Sequence, residues 1–203
     1  AARGAYRVPD DVLERFRGYF KRYEGSHLFH NFTAGKSHQD SSSRRYMKAL
    51  HVNEPVVLAG GVQWVPVVLE GQSFLLHQIR KMVALAIKCV REGLDGDTVI
   101  DACFERRRVR LPMLPGDGLM LRECQFTSFN RNKQGFVAGT HEPVEWSDYA
   151  AELVAFERNV LYEHIARLEL ATDMYARWAR QTDRYPLSRR ELHAPPAAPK
   201  KGP

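Results

Sequence analysis

Residues 71–93 read GQSFLLHQIRKMVALAIKCVREG, and this stretch decides how the rest of the chain is interpreted. Apolar residues recur at helical spacing along one side, namely Leu75, Ile79, Met82, Val83, Ala86 and Val90. Ser73 is a suitable N-cap, and Gly93 stands where a helix end favours the left-handed conformation. The spacing therefore predicts one amphipathic helix packed on a core.

The opposite side of this predicted helix is basic and carries His77, Arg80, Lys81, Lys88 and Arg91. A solvated basic face opposite a core is the ordinary interpretation of such a pattern. Arg80 differs because it lies at the border of the apolar arc. A guanidinium at that border is placed to be half-buried and aimed at a fixed partner.

The composition is that of an ordinary globular chain with a basic balance. The 203 residues are 44% hydrophobic and 27% charged, with a net charge of +6 and a pI of about 9.3. This balance favours a polyanionic partner. Cys89, Cys103 and Cys124 form no C-x-x-C pair, which argues against a disulfide framework and fits a reducing, intracellular compartment. No apolar run reaches membrane-spanning length, so no membrane partner is predicted.

Alternating residues predict the strands. Residues 46–52 and 62–70 alternate as two strands joined across a Gly-Gly turn at residues 60–61, which predicts an antiparallel hairpin. Pro66 within the second strand indicates an edge or a bulge. Residues 119–126 alternate well enough to predict a further strand.

Helical spacing predicts helices over residues 9–23 and 97–105, and two more over residues 147–168 and 169–180 that extend the core. Together with the strands they predict an α/β fold of the α+β kind, an antiparallel sheet flanked by helices.

Residues 25–33 read GSHLFHNFT and gather aromatic and polar side chains in a short loop. One interpretation is a buried aromatic turn. The other is one wall of a pocket, in which Phe29 and Phe32 offer flat apolar surfaces while His27 and Asn31 offer hydrogen bonds. A metal site is not predicted, because the two histidines lack further ligands at matching spacing.

The order of several segments resembles that of the tRNA pseudouridine synthases of the TruA type. The matching segments are GSHLFHNFT (25–33), SSRRYM (42–47), GQSFLLHQIRKMV (71–83) and LPGDGLML (114–121). HEPVEW at residues 141–146, followed by two predicted helices, resembles the extension of the family's eukaryotic branch. The order and spacing agree over residues 6–178, so the chain is identified as a member of this family.

The resemblance implies an enzyme that isomerises uridine to pseudouridine in tRNA and sometimes in other RNAs. It implies cleavage of the N1–C1′ bond and rejoining through C5, with no cofactor and no metal. The target base has to leave its stack to reach the family's essential aspartate, which lies in an Arg-Thr-Asp-x-Gly-Val motif. The arginine of the family's third motif pairs with that aspartate, and here it is Arg80.

This sequence contains no Arg-Thr-Asp-x-Gly-Val motif. Its nearest echo ends at Asp183, in the wrong order along the chain, and we interpret it as a coincidence. We therefore expect a fragment or processed chain that corresponds to the C-terminal half of a synthase and is inactive alone. Its partner would be the N-terminal half of the same synthase. Without the aspartate, Arg80 is expected to be solvated or satisfied by another group.

The expected organisation is a synthase half over residues 1–135, a helical extension over 136–182 and a basic, proline-rich tail over 183–203. The resemblance implies a uridine pocket lined by His27, Phe29, Asn31, Phe32, Phe74, His77 and Leu121. Overall charge and an arginine-rich run predict phosphate contacts by Lys36, Arg44, Arg45, Lys81, Arg106, Arg107 and Arg108.

Three interpretations of function stay open at this point. The first is the RNA-binding half of a tRNA synthase. The second is a catalytically inactive RNA-binding or assembly module. The third is a helix-mediated protein-interaction domain built on residues 147–180. A homodimer and a ribonucleoprotein partner are both compatible with the sequence, as are the nucleus and the mitochondrion.

Overall fold

A computed structural model describes residues 2–131, 143–183 and Leu187. The helices and strands are α1 Ala2–Ala5, α2 Asp10–Lys21, β1 Gly25–Leu28, β2 Arg44–Val52, β3 Val56–Val57, β4 Gln63–Trp64, β5 Val67–Gly71, α3 Gln78–Glu92, α4 Gly96–Ala102, α5 Thr127–Arg131, α6 Ala150–Phe156, α7 Glu163–Thr172 and α8 Met174–Thr182. Small antiparallel sheets flanked by helices confirm the predicted fold class. The predicted boundary at residue 135 and nearly all of the predicted tail lie outside the described residues.

The main sheet has the strand order β1-β2-β5, with both pairs antiparallel. β2 and β5 pair as the sequence predicts, but the Gly-Gly turn joins a separate small ribbon of β3 and β4. The predicted second strand is divided at Pro66, which has no N–H to donate to a ladder. The Pro66 carbonyl still accepts a hydrogen bond from the Asn53 N–H at 2.9 Å. The predicted hairpin is therefore correct in its pairing and wrong in its turn.

The core lies where α2 and α3 pack beside β2. Its fully buried members include Phe20 and Tyr23 near the end of α2, Met47 on β2, and Met82 and Leu85 on α3. The Tyr23 hydroxyl donates to the Met82 carbonyl at 3.0 Å, so the phenol is buried without losing its hydrogen bond. Burial is the main reason that the pKa of Tyr23 is raised well above its ordinary value.

The central helix α3 begins later than predicted, so Ser73 is not its N-cap. His77 precedes the helix in the left-handed conformation, with φ 67°. The Gln78 side chain accepts the Leu75 N–H at 2.8 Å and closes a separate turn before the helix. The C-terminal prediction is confirmed, because Gly93 ends the helix with φ 63°.

Lys88 departs from the predicted solvated face, because its side chain is only 1% exposed. Its ammonium donates to the Thr182 carbonyl at 3.0 Å and pairs with Glu92 one turn along α3. A buried ammonium requires such partners, since burial removes its hydration. The helical extension, which contains Thr182, therefore covers this side of α3.

The helical extension is continuous through α6, a π-helical segment Glu157–Tyr162 and α7, and it breaks at Asp173 before α8. The predicted break before Glu169 is wrong, because Glu169 lies within α7 and caps the following helix. Its carboxylate accepts the N–H groups of Tyr175 at 2.8 Å and Ala176 at 3.2 Å. Only the later part of the predicted apolar side is buried, at residues such as Ile165.

Residues 119–126 form no strand in this structure, although their alternation predicts one. A strand needs backbone hydrogen bonds to a neighbour, and these residues form no ladder with β5, which is an edge strand of the main sheet and meets them through a hydrogen bond between the side chains of Glu70 and Gln125. The segment instead runs past the helical extension, where the Trp146 indole donates to the Cys124 carbonyl at 2.7 Å. Leu121 is left 80% exposed.

Candidate functional site

Arg80, in the first turn of α3, is fixed by the turn over residues 112–118. Its Nε donates to the Leu114 carbonyl at 2.6 Å, and the Leu114 N–H donates back to the Arg80 carbonyl at 3.3 Å. The guanidinium lies over Gly116, where an added Cβ would sit 3.5 Å from its Cζ. The partly buried Arg80 therefore has one of its donors, Nε, occupied by a backbone carbonyl.

Tyr175 on α8 touches the same turn, and sequence reasoning did not identify it. A Cβ added at Gly118 would lie only 2.4 Å from the Tyr175 hydroxyl oxygen. The Tyr175 ring also meets the Trp64 ring edge-on, with 5.5 Å between centroids. The sequence around Tyr175 does not indicate this contact, because the contact forms only where the helical extension folds back onto the 112–118 turn.

The predicted pocket residues of the 25–33 segment are mostly in the core. Phe29 and Phe32 are fully buried, and their rings pack against each other and against Phe104. His27 is partly buried and stacks on Phe104 at 4.2 Å between centroids. The segment therefore forms the buried aromatic turn that was one of its two interpretations.

Asn31 holds this aromatic turn to the loop after α4. Its amide nitrogen donates to the carbonyls of Cys103 at 2.8 Å and Arg107 at 3.0 Å. Its side-chain oxygen accepts the Val109 N–H at 3.0 Å. Asn31 is 2% exposed, so its polar atoms serve the fold.

The other predicted pocket residues lie outside the aromatic turn. Phe74 is 37% exposed and belongs, with His77, to the loop that leads into α3. Leu121 follows the turn that Arg80 holds. The structure therefore leaves these three residues outside the buried aromatic turn and shows no side-chain hydrogen bond between them and Arg80 within the described residues.

Two cations hold the loop over residues 30–36, which we call the basic loop. Lys81 donates to the carbonyls of Asn31 at 3.3 Å and Thr33 at 3.2 Å. Arg108 donates to the Lys36 carbonyl at 2.8 Å. Burial lowers the pKa of Lys81, and the charge of Arg108 lowers it further, which indicates that the two cations share one electrostatic environment.

The remaining predicted RNA contacts differ in how accessible they are. Arg44 is exposed, whereas Lys36 already pairs with Asp40 at 3.1 Å. Arg45 donates to nearby backbone carbonyls, and the Arg107 side chain is 12% exposed and pairs with Glu105. Arg106 is partly buried. Arg44 and Arg108 are therefore the most accessible members of the predicted set.

Asp183, which ends the partial match to the catalytic motif, has a structural role in this chain. The Asp183 carboxylate accepts two hydrogen bonds from Arg91, at 2.8 and 2.9 Å. Arg91 is at the end of α3 opposite to Arg80. Asp183 therefore fastens the extension, in keeping with its interpretation as a coincidence.

Comparison with known proteins decides the family. A family model described as tRNA pseudouridine synthase matches residues 20–127. The chain belongs to the tRNA pseudouridine synthase family. It is 36% identical over 163 residues to tRNA pseudouridine synthase 1 of Yarrowia lipolytica, covering 80% of this chain and 30% of the relative.

Mammalian relatives give the same result. The chain is 33% identical to the pseudouridylate synthase 1 homologs of Mus musculus and Homo sapiens, over 86% and 85% of its length. It covers 40% of each mammalian protein, so it spans less than half the length of the curated synthases it matches.

Two further features of the described residues are their possible metal ligands and the length of their helices. Within that part of the chain, no three or more His, Cys, Asp and Glu side chains are grouped so that they could hold a metal ion. None of the helices described above is both long and apolar enough to cross a membrane.

Proposed function

We propose that this chain is the RNA-binding, pocket-completing C-terminal half of a tRNA pseudouridine synthase. The catalytic aspartate then comes from the N-terminal half of the same synthase, and the chain alone is inactive. The observation that carries this proposal is Arg80, which occupies the family's motif position and whose Nε donates to the Leu114 carbonyl at 2.6 Å. Family membership and the similarity to tRNA synthases support it.

Arg80 would keep the catalytic aspartate ionised. A carboxyl group in an apolar pocket drifts towards its neutral form, and a guanidinium within pairing distance opposes that drift. Because Nε already donates to Leu114, an incoming carboxylate is left to approach the terminal Nη groups of Arg80. That arrangement suits a two-pronged ion pair, which fixes the orientation of the carboxylate as well as its charge.

The uridine would lie near Arg80, between the loop that leads into α3 and the residues after the 112–118 turn. Phe74 and Leu121 offer exposed apolar surface there, and His77 adds a polar group. The flipped uracil would be cleaved from C1′ at N1, turned, and joined again through C5. The C5–C1′ bond replaces the N1–C1′ bond, and the proton that C5 loses is balanced by the proton that N1 gains, so no co-reactant is required.

RNA phosphates would meet the basic loop and its neighbours, led by Arg108, Lys81 and Arg44. Lys81 and Arg108 approach the same loop from two elements, so a phosphate there would find two cations together. Phosphate contacts of this kind predict affinity for tRNA that falls steeply as salt rises. A nuclear or mitochondrial location stays a prediction from the resemblance.

The N-terminal half would cover residues 119–126. These residues have the alternation of a strand but form no ladder in the structure, and Leu119 and Leu121 are 47% and 80% exposed. A strand supplied by the other half would complete their backbone hydrogen bonds and bury their apolar side chains. In this proposal residues 1–135 form the synthase half and residues 136–182 its extension.

The test is pseudouridine formation on total tRNA by the full-length protein that contains this chain, with the chain alone assayed beside it. Activity is expected from the full-length protein only. In it, Arg80→Ala is expected to lower kcat by about 100-fold or more, because a charge-stabilising group is lost. The exposed Arg15→Ala on α2 is the matched control and should leave kcat unchanged.

Two other outcomes would reject the proposal. If the full-length protein binds tRNA and modifies none, it is an inactive RNA-binding module. If it shows no salt-dependent binding to tRNA either, the helical protein-interaction interpretation replaces both.

A further inference from the structure

The last helix of the described chain, α8, is fastened at both ends. At its start, Glu169 accepts the Tyr175 N–H at 2.8 Å. At its end, Lys88 of α3 donates to the Thr182 carbonyl at 3.0 Å. Glu169 and Lys88 are both almost completely buried. Side chains of this kind hold the helix, because breaking either contact removes a hydrogen bond from a buried charged group.

Fastened in this way, α8 places the Tyr175 hydroxyl against the backbone of Gly118. The ideal Cβ position at Gly118 is 2.4 Å from the hydroxyl oxygen and 3.6 Å from Cζ of the same ring. Any side chain at Gly118 would therefore push either the turn or Tyr175 away. The Gly118 amide interacts with the phenol oxygen, and the Trp64 ring supports the other side of the contact.

Gly118 and Arg80 are joined by a short rigid path. Pro112 and Pro115 restrict the turn, Gly116 lies beneath the guanidinium, and Leu114 exchanges two hydrogen bonds with Arg80. A displacement at Gly118 would reach the guanidinium through these contacts. The path joins the extension to the arginine of the candidate active site.

We propose that Tyr175 is a positioning residue for pseudouridine formation. It fixes the position of the 112–118 turn and, through that turn, the position of the Arg80 guanidinium. Its catalytic consequence rests on the function proposed above. The helical extension is thereby part of the active-site scaffold as well as a cover for α3. Tyr175 itself touches the turn and not the uridine.

A double-mutant cycle in the full-length protein tests this assignment. Gly118→Ala places a methyl group against the hydroxyl and is expected to lower kcat about 10- to 100-fold, the effect of a small misplacement of a catalytic group. KM for tRNA should be unchanged. Tyr175→Phe removes only the hydroxyl oxygen and should lower kcat less. The double variant Gly118→Ala with Tyr175→Phe should be faster than Gly118→Ala alone, because the removed oxygen makes room for the methyl group.

Matched controls separate positioning from general destabilisation. Gly18→Ala on α2 introduces the same methyl group into open space, and Tyr149→Phe removes a hydroxyl from an exposed tyrosine of the extension. Both should keep the wild-type kcat. The positioning assignment is overturned if Gly118→Ala keeps the wild-type kcat, or if the double variant is no faster than Gly118→Ala.

A second measurement keeps the assignment testable if the protein makes no pseudouridine. The Arg80 Nε–H nuclear magnetic resonance signal, assigned by its loss in Arg80→Lys, reports the bond to Leu114. Gly118→Ala should shift that signal, and adding Tyr175→Phe should return it towards its wild-type position. An inactive wild type with this shift rejects the proposed function alone. An unmoved signal rejects the positioning by Tyr175.

Discussion

The aromatic turn over residues 25–33 and the extended segment over residues 119–126 were predicted to meet in one pocket, yet they end in opposite environments. Phe29 is fully buried, whereas Leu121 is 80% exposed. Both stretches are apolar enough to enter a core. What separates them is whether this chain supplies the surface against which they pack.

The aromatic turn finds all its partners within the chain. Asn31 closes it against the loop after α4, and Phe104 packs on its rings. The extended segment makes polar contacts with the helical extension, such as Arg122 to Glu157 at 3.5 Å, and leaves most of its side chains exposed. A sequence pattern thus shows what a segment is able to bury, while the partner's location decides whether it does so here.

The largest loss of stability is expected from truncating a ring in the aromatic turn. Phe29→Ala is expected to lower the free energy of unfolding by about 3–5 kcal/mol, because a fully buried ring leaves a cavity. Phe156→Ala, which removes a ring that is 53% exposed on α6, is the matched control and should cost about 1 kcal/mol or less. Urea denaturation measures both. Equal losses would show that the burial of the Phe29 ring does not stabilise the aromatic turn.

A smaller effect is expected from the hydrogen bonds of the same turn. Asn31→Ala removes an amide that holds two carbonyls and one N–H, and should lower the free energy of unfolding by about 2–3 kcal/mol. The exposed Asn53→Ala should change it by about 0.5 kcal/mol or less. Chemical denaturation of the two variants gives the comparison. A loss at Asn31 no larger than at Asn53 would mean that the amide network does not stabilise the turn.

Much of the fold follows from local sequence signals. Helical spacing predicts α2 and α3, and Gly93 marks a helix end because its left-handed conformation is easy only for glycine. The N-terminus of α3 is mispredicted, since the Gln78 side chain builds a turn that Ser73 cannot reveal. The buried Lys88 is hidden as well, because its partner at Thr182 is distant in sequence.

The candidate site divides in the same way. Arg80 is identifiable from its motif and from its position at the border of the apolar side of α3. Its hydrogen bond to Leu114 joins the segment over residues 71–83 to the segment over residues 114–121. Tyr175 is not identifiable, because its contact with Gly118 exists only once α8 folds back over α3. Local patterns therefore find the arginine, and tertiary packing supplies the residue that holds its support.

A third prediction concerns pH and the buried His30 within the aromatic turn. Burial is the largest cause that lowers the pKa of His30. Hydrogen bonds to the Arg107 and Leu28 carbonyls raise this pKa, and the nearby His38 and Arg108 lower it, so that the net shift is downward. The unfolded chain therefore takes up this proton at a higher pH than the folded chain does. Stability is complete above the ordinary histidine pKa and falls as pH drops through it towards the folded value.

The slope from this one group is at most about 1.4 kcal/mol per pH unit. Urea denaturation at about pH 7.5 and about pH 5.5 should show a smaller loss on acidification in His30→Gln than in the wild type. His164→Gln, which removes an exposed histidine of α7, should retain the wild-type loss. An identical pH dependence in all three proteins would assign the acid sensitivity to other groups.

The smallest effect on the stability of this chain is expected in the extended segment. Leu121→Ala should change the free energy of unfolding by about 0.5 kcal/mol or less, because the side chain is 80% exposed. The same change should weaken binding of a separately supplied N-terminal half, measured by titration calorimetry, while Val57→Ala on β3 should not. A large loss of stability in the chain alone would mean that residues 119–126 already pack within it. Unchanged binding would place the contact with the N-terminal half elsewhere.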